Sequence, residues 1–509
     1  MPDVVIVIDM THAFMDKGRA LYVGDRARRI IPNLRRLLET ELKRGSKILF
    51  LNDHHIPDDP EFQMFPPHAV IGTEEPEQIP ELPGYAGEMI PKRHFSSFSD
   101  TTLAKRLEEI KPGKLIVSGV LTDICVCHTV SSARDLGYRV EVPTDCVASN
   151  DESQHYFALN HMERVLGAKL TSATGAPWQP SKFEPRPEVV KGDTADVYFK
   201  HTLDILARED INPVTTIEIF ANWPGILCGV EEAKVLLQRV LPPGEAEVWA
   251  MREGEPIEEK QTVMRIKTRY LNVGLYETAV LGLLASATGW ATAARQCAEA
   301  AGKIPVISFG ARHVHPDIAG IMDYSAVVGG CAGCSSIEGA QLAGIQPSGT
   351  MPHALILIMG DTVRATLAFD KHMPPELPRV SLVDTFKDEV EESLRVAEAL
   401  KEKLNSVRLD TPSERGRVTV DLVKEVRAKL DLAGFKYVKI FVSGGLDPER
   451  IKHFVDSRAP VDGFGVGSYI SGARAVDFKA DIHEIDGKPV AKRGRIPGIK
   501  PNPKLKRII

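Results

Sequence analysis

At 509 residues the chain is too long for one ordinary hydrophobic core, so two or three domains are expected. Hydrophobic residues make up 43% and charged residues 26%, a globular composition, and a net charge of −6 argues against a general nucleic-acid binder. Seven scattered cysteines, an opening without a signal peptide and a longest uncharged run confined to Thr278–Ala294 predict a cytoplasmic chain with no membrane span.

In chain order, an apolar run predicts a strand over 3–9. An amphipathic helix follows near 24–44, with Ile30, Ile31, Leu34, Leu37, Leu38 and Leu42 on one stripe. Strands over 47–52 and 114–118, a helix over 122–136, a strand over 138–143 and a helix over 151–166 complete the first part. That alternation is an α/β doubly wound parallel sheet, whose ligands sit at the carboxyl ends of the strands. Asp9, Asp53 and Cys125 all lie at such ends. The long irregular piece 53–98 is too long for a mere connection.

The stretch Gly119-Val-Leu-Thr-Asp-Ile-Cys125 places Cys125 in the first turn of a helix, with Thr122 and Asp123 as good first-turn residues. Free backbone N–H groups there favour a thiolate and could hold an oxyanion. A buried structural cysteine is the bland alternative. Asp9 and Lys92, each at a strand end or in a loop, suit a base and an electrostatic stabiliser for that nucleophile. Asp53 and His55 alternate on one side of an extended segment and, with Glu61 and His68, compose a two-His, two-carboxylate metal site.

On these residues, 1–175 resemble a nicotinamidase of the isochorismatase-like cysteine hydrolase group. The matching pieces are Ile8-Asp-Met10 with Phe14, Asp53-His-His55, Phe65-Pro-Pro-His68, Lys92 and Thr122-Asp-Ile-Cys125. The resemblance implies an amide hydrolase in which Asp9 takes the Cys125 proton and backbone N–H groups of Leu121 and Cys125 hold the oxyanion, next to a cis Val120–Leu121 peptide. Phe14 and Phe65 pack on the ring, and a divalent ion (Zn, Fe or Mn) orients its nitrogen. Thr11-His12-Ala13 departs from the Gln-Asn-Asp common after Asp9-Met10.

Residues 176–187 read as a proline-rich, fairly stiff linker. Beyond it, strands are expected at Ile304–Phe309, Ser325–Val328, Val380–Val383, Val407–Leu409, Val438–Val442 and Gly463–Val466, with helices near 387–404, 418–432 and 447–457. Such βα units favour an α/β barrel over 301–469, without a strict eightfold count. Segments 188–300 and 470–509 then form a flanking domain. Phe309, Arg312, His353, Asp384, Arg408 and Asp410 recur just after the strands. Gly444-Gly445 runs straight into a helix and Gly465/Gly467 supplies a second glycine turn, two cradles for anions.

That constellation resembles a nicotinate phosphoribosyltransferase over the second half, with Asp196-Val-Tyr-Phe-Lys-His-Thr202 and Phe464-Gly-Val-Gly467 as signatures. The resemblance implies a type II phosphoribosyltransferase barrel. Phe309 stacks on the pyridine, Tyr198 of a neighbouring subunit covers its other face, and Arg312 pairs with the carboxylate. Asp384, Arg408 and Asp410, with the two glycine turns, hold phosphoribosyl pyrophosphate and Mg²⁺. His353 matches the histidine that many members phosphorylate with ATP. Ser336 stands where the family has Asn, at a position contacting substrate, and Thr411-Pro-Ser413 replaces the usual Ser-Gly-Asp.

The expected protein is therefore a homodimer or higher homo-oligomer acting on small molecules, without nucleic acid or membrane partners. It converts nicotinamide to nicotinate and nicotinate to its mononucleotide. The alternative keeps both folds with another amide in the first half and quinolinate or nicotinamide in the second. A third possibility makes one half a scaffold or sensor. Cys331-Ala-Gly-Cys334 lacks a second pair for zinc and reads as a tight turn of small residues.

Overall fold

The computed structural model describes residues 2–82, 87–175, 182–242, 244–349 and 351–509. The chain divides into two compact units, Met1–Ser181 and Lys182–Ile509. Half of the expected linker, residues 176–181, lies outside the described residues, as does Thr350 ahead of His353.

In the first unit six parallel strands run in the order Glu88–Lys92, Lys47–Asp53, Val4–Ile8, Leu115–Val120, Val140–Pro143, Lys169–Thr171, and Val147–Ala148 adds a short pairing to Leu115–Val120. Val4–Ile8 is buried at every position, which a strand covered on both faces requires. It lies between the second and fourth strands in sequence. Asp9 therefore emerges at the point where the strand order reverses, and crevices open there. Gly119 makes that closeness feasible: a Cβ would stand 2.0 Å from the Ile8 carbonyl oxygen.

The strand Glu88–Lys92 was not foreseen within 53–98. It is short and carries Pro91, which only a sheet edge tolerates, and the edge is where it sits. The expected helix 24–44 is two helices, Asp25–Arg29 and Ile31–Lys43, broken at Ile30, since Pro32 has no N–H with which to continue the first helix's bonding. Leu42, expected on the buried stripe, is 37% exposed. Residues Thr122–Val126 form a π-helical turn, and the regular helix begins only at Cys127.

The second unit contains two sheets. An antiparallel one orders Lys488–Pro489, Phe478–Ile485, Val214–Ala221, Thr262–Arg269, Glu247–Ala250 and Lys506–Arg507, and so joins strands from the start and the end of the unit. A parallel half-barrel orders Gly333–Cys334, Val306–Ser308, Gly463–Val466, Lys439–Val442, Leu404–Leu409 and Arg379–Leu382. Phe309, Asp384, Asp410, Ser443 and Gly467 follow its strand ends. Ser325–Val328, expected as a strand, is the last part of helix Pro316–Gly329. A four-residue apolar run cannot distinguish a buried helical face from a strand, and Pro316 at the start with left-handed Gly330 at the end settles it as helix. The uncharged run 278–294 lies in the long helix Glu277–Ala301, and no described helix is long and apolar enough to cross a membrane.

Candidate active sites

In the first unit the ends of three adjacent strands and the π-turn converge. Asp53 and Lys92 are register partners on neighbouring strands, and Lys92 Nζ donates to Asp53 Oδ1 at 2.5 Å. The same ammonium lies 2.8 Å from Asp9 Oδ2 and 3.6 Å from Cys125 Sγ. Asp9, itself held at φ 52°, accepts the Asp53 backbone N–H through Oδ1 at 2.9 Å. The expected base, stabiliser and nucleophile are thus in contact, with a cis Val120–Leu121 peptide beside them.

Burial sets the protonation of this group. Burial, then the neighbouring Asp53 charge, pushes Asp9 up to about 7 despite Lys92. Burial acts upward on Asp53 too, but Lys92 and His55 outweigh it and hold that carboxyl at about 2. The two acids share one lysine yet diverge, because only Asp53 has a second cationic neighbour. Burial also raises the Cys125 thiol well above its ordinary value, against the pull of Lys92. The resting group is therefore a thiol, not the thiolate expected from a helix N-terminus. The Cys125 side chain is buried, and desolvation outweighs the pull of Lys92.

Asp53 faces a second set of groups through its other oxygen. Asp53, His55 and His68 bring one ligand atom each within 4.8 Å of one another. His55 Nε2 and His68 Nε2 stand 3.7 Å and 3.9 Å from Asp53 Oδ2. His68 Nδ1 donates to the Pro66 carbonyl (2.9 Å), which can only accept, so Nε2 is left with its lone pair. Burial lowers the His68 pKa and favours that neutral form. Both His55 ring nitrogens are buried without a hydrogen bond, and against burial the Asp53, Asp59 and Glu61 carboxylates raise the His55 pKa to about 9, so a metal ion would bind there by displacing a proton. Glu61 Oε1 is 3.8 Å from His68 Nε2, at the margin of the cluster rather than in it. Asp59, absent from the sequence-based set, lies 3.1 Å from His55 Nδ1 and aims the imidazole. Its spacing of four from His55 was the available signal.

A cavity of about 150 Å³ opens on Cys125, Asp53, Glu61 and His68, walled by Phe14, Phe65, Phe95, Leu121 and Ile124, with Tyr22 and Asn150 also on its lining. Its size suits one aromatic ring. Phe95 was not foreseen, since a single phenylalanine after Lys92 carries no periodic signal. Thr122 and Asp123 do not cap a helix. Thr122 Oγ1 is hydrogen-bonded to His155 Nδ1 (2.8 Å), and Asp123 Oδ1 accepts from Ser149 (2.5 Å), so both serve to anchor the π-turn.

In the second unit His353 Nε2 lies 3.2 Å from Asp384 Oδ2, and His353, Asp384 and Asp410 form a three-ligand cluster. The bond to Asp384 raises the His353 pKa. Arg408 joins the parts: its guanidinium lies 5.2 Å over the Phe309 ring, Nε donates to Ser443 Oγ (3.0 Å), and a terminal nitrogen donates to Asp410 Oδ2 (3.1 Å). Ser443 Oγ in turn donates to Asp410 Oδ1 (2.8 Å). A Cβ on Gly465 would meet the Phe309 ring at 2.4 Å, and one on Gly444 would lie 3.1 Å from Asp410 Oδ1. Gly467 sits against the Phe309 carbonyl and His313.

Three expected residues stand apart from this cluster. Arg312 is exposed in the turn after Phe309. Tyr198 is 57% exposed and donates to Asp196 (3.0 Å). Ser336 caps helix Ile337–Ala343 through Gly339 N–H, and its own N–H donates to Asp323 Oδ2 (2.8 Å). Cys331 and Cys334 are buried, and burial raises both thiols.

Residues 3–174 match the family model of the isochorismatase domain. Residues 196–288 and 290–481 match the N-terminal and C-terminal domains of quinolinate phosphoribosyl transferase. The isochorismatase family protein PncA of Bacillus subtilis is 32% identical over 181 residues, covering 33% of this chain and 99% of that protein. Nicotinate phosphoribosyltransferase pncB2 of Mycobacterium tuberculosis is 32% identical over 247 residues, 47% of this chain and 52% of that protein, so the chain spans about half the length of this relative. Among solved structures, nicotinate-nucleotide pyrophosphorylase from Pyrococcus furiosus is 45% identical with a TM-score of 0.58, covering 63% of this chain and 82% of that one.

Proposed function

This chain belongs to the isochorismatase family in its first unit and carries both quinolinate phosphoribosyl transferase domains in its second, and from that premise we propose a bifunctional enzyme of pyridine nucleotide salvage. The first unit hydrolyses nicotinamide to nicotinate and ammonia. The second joins nicotinate to phosphoribosyl pyrophosphate, releasing pyrophosphate. The observation that carries this is Lys92, in contact with Asp9, Asp53 and Cys125, the last two of which line a ring-sized cavity. The charge unmasked on the pyridine by the first reaction is the feature the second unit has cations to meet.

In the first reaction Asp9, poised near neutrality, takes the thiol proton as Cys125 attacks the carboxamide carbon. Lys92 stabilises the sulfur as it becomes negative. Backbone N–H groups of Leu121 and Cys125 receive the oxyanion, and Asp9 returns the proton to departing ammonia. Water then cleaves the thioester, with Asp9 again the base. Asp53, His55 and His68, with Glu61 beside them, fit a divalent ion, because they offer two imidazole nitrogens and a carboxylate in a buried pocket. Such an ion, held by these residues, would supply Lewis-acid chemistry beside the ring-sized cavity.

In the second reaction Phe309 faces the pyridine and the exposed Arg312 guanidinium meets its carboxylate. Arg408 and Asp410 orient the ribose, and the glycine turns receive phosphate. Asp384 and Asp410, with one Asp384 oxygen buried and lacking a hydrogen bond, suit Mg²⁺. His353, paired to Asp384, is placed to take a phosphoryl group where ATP is used. Tyr198 would serve a second copy of the chain.

The test is to incubate the full chain with nicotinamide and phosphoribosyl pyrophosphate, with and without ATP, and to identify the products. Ammonia together with nicotinate mononucleotide supports both steps. Product formed from quinolinate but not from nicotinate would reassign the second unit, as the name of its family model allows.

A further inference from the structure

Gly444 and Gly445 leave strand Lys439–Val442 with φ of 92° and 60°, and two arginines hold this turn from one side. Arg450, in the first turn of helix Pro448–Asp456, donates to the Gly444 carbonyl (3.3 Å), the Gly445 carbonyl (3.0 Å) and the Val418 carbonyl (3.2 Å). Arg417 donates to the Gly445 carbonyl at 3.1 Å. Its guanidinium fills the space a Cβ on Gly445 would need, with only 2.3 Å between them. Glycine at 445 is thus required by the arginine as well as by the positive φ.

In a trans peptide the carbonyl and the N–H point in opposite directions. With the Gly444 and Gly445 carbonyls turned to the arginines, the N–H groups of Gly445 and Leu446 are turned away from them. Neither N–H is donated to a described residue. The arrangement has an electrostatic cost. Burial, then the Arg417 charge, lowers the Arg450 pKa, and Asp447 is the nearby acid that opposes this. Arg417 itself sits at φ 64°, in the left-handed region. Two like charges are therefore held on one four-residue turn, with two amide donors presented on its other face.

We propose that Arg417 and Arg450 are positioning residues for a phosphate dianion: they hold two carbonyls back so that the Gly445 and Leu446 N–H groups face the ligand. Their charges add to its attraction through the turn. The ligand class is the phosphate or pyrophosphate portion of a phosphoribosyl donor, and this rests on the transferase assigned to the second unit. The arginines act through the turn's carbonyls. A Cβ on Gly444 would stand 3.1 Å from Asp410 Oδ1, and Arg408 bonds Ser443, the residue before the turn.

The experiment titrates the full chain with inorganic pyrophosphate by calorimetry, which needs no turnover, and measures KM for both substrates. Arg450→Gln should weaken pyrophosphate binding about tenfold and raise KM for phosphoribosyl pyrophosphate by the same factor, with KM for nicotinate within about twofold. Arg450→Lys keeps the charge but cannot reach three carbonyls, and should fall between wild type and Gln. Guanidinium ion added to Arg450→Ala should restore part of the lost affinity, which a general packing defect would not show. Arg417→Gln removes one bond instead of three and keeps the test readable should the Arg450 variants not fold. Pyrophosphate affinity unchanged in folded Arg450→Gln and Arg417→Gln, or equal loss for both substrates, overturns the proposal while leaving the transferase intact. A wild-type chain that neither binds pyrophosphate nor transfers phosphoribosyl overturns both.

Discussion

Lys92 and Asp53 are opposed in register on parallel strands, and their 2.5 Å ion pair joins two candidate sets across a sequence separation of 39 residues. One Asp53 oxygen faces the lysine of the nucleophile set and the other faces the imidazoles of the metal set. Under the proposed function, metal loading and nucleophile chemistry would be coupled through this one carboxylate.

Replacing that lysine exposes the coupling. Lys92→Met leaves Asp9 and Asp53 buried with no shared cation, and should cost the first unit about 3–5 kcal/mol in chemical denaturation. Adding Asp53→Asn should recover part of the stability but none of the ammonia release, because one of the two opposed acids is then neutral.

Cys125→Ala should reduce ammonia release from nicotinamide by about a thousandfold or more, since no other described residue lining the cavity carries a thiol to form the thioester. Mononucleotide formation from added nicotinate should stay unchanged. Coupled ammonia and nucleotide assays on the same preparation separate the two, and loss of both would contradict the division of labour.

Elemental analysis tests the metal set. The wild-type chain should carry about one tightly held divalent transition ion, and His55→Ala should lose it. Asp59→Asn, which keeps the shape but weakens the hold on His55 Nδ1, should lower metal affinity about tenfold or more without abolishing it.

The second unit should lose stability as pH rises through the weakly acidic range. Burial, then the Glu253 charge, raises Glu232 from 4.5 to about 7, and burial with Asp481 and Asp196 raises Glu277 likewise. Between those values the folded chain binds more protons than the unfolded one. The contribution is therefore complete below about pH 4.5 and is lost as pH climbs to about 7. Denaturation midpoints at pH 5 and pH 7.5 should differ less in Glu232→Gln than in wild type. A larger difference would refute the assignment.

By itself the sequence determined most of the central parallel strands of both units and singled out Asp9, Lys92, Cys125 and the glycine turns as candidates, because these depend on local apolar patterning and on residue types that few chemistries require together. Only the tertiary structure decided what those residues touch. The edge strand Glu88–Lys92, with its proline, exists because Lys47–Asp53 supplies its hydrogen-bonding partner. Burial raises the Cys125 thiol well above its ordinary value against the pull of Lys92, a balance that only the folded chain sets. Ser325–Val328 became helix because capping by its neighbours prevailed over a four-residue apolar run. Asp59 and Arg450 act through contacts with ring and carbonyl atoms, which the order of residues alone does not specify. Periodicity is a local property of the chain, whereas burial, register and shared charges arise only when distant segments meet.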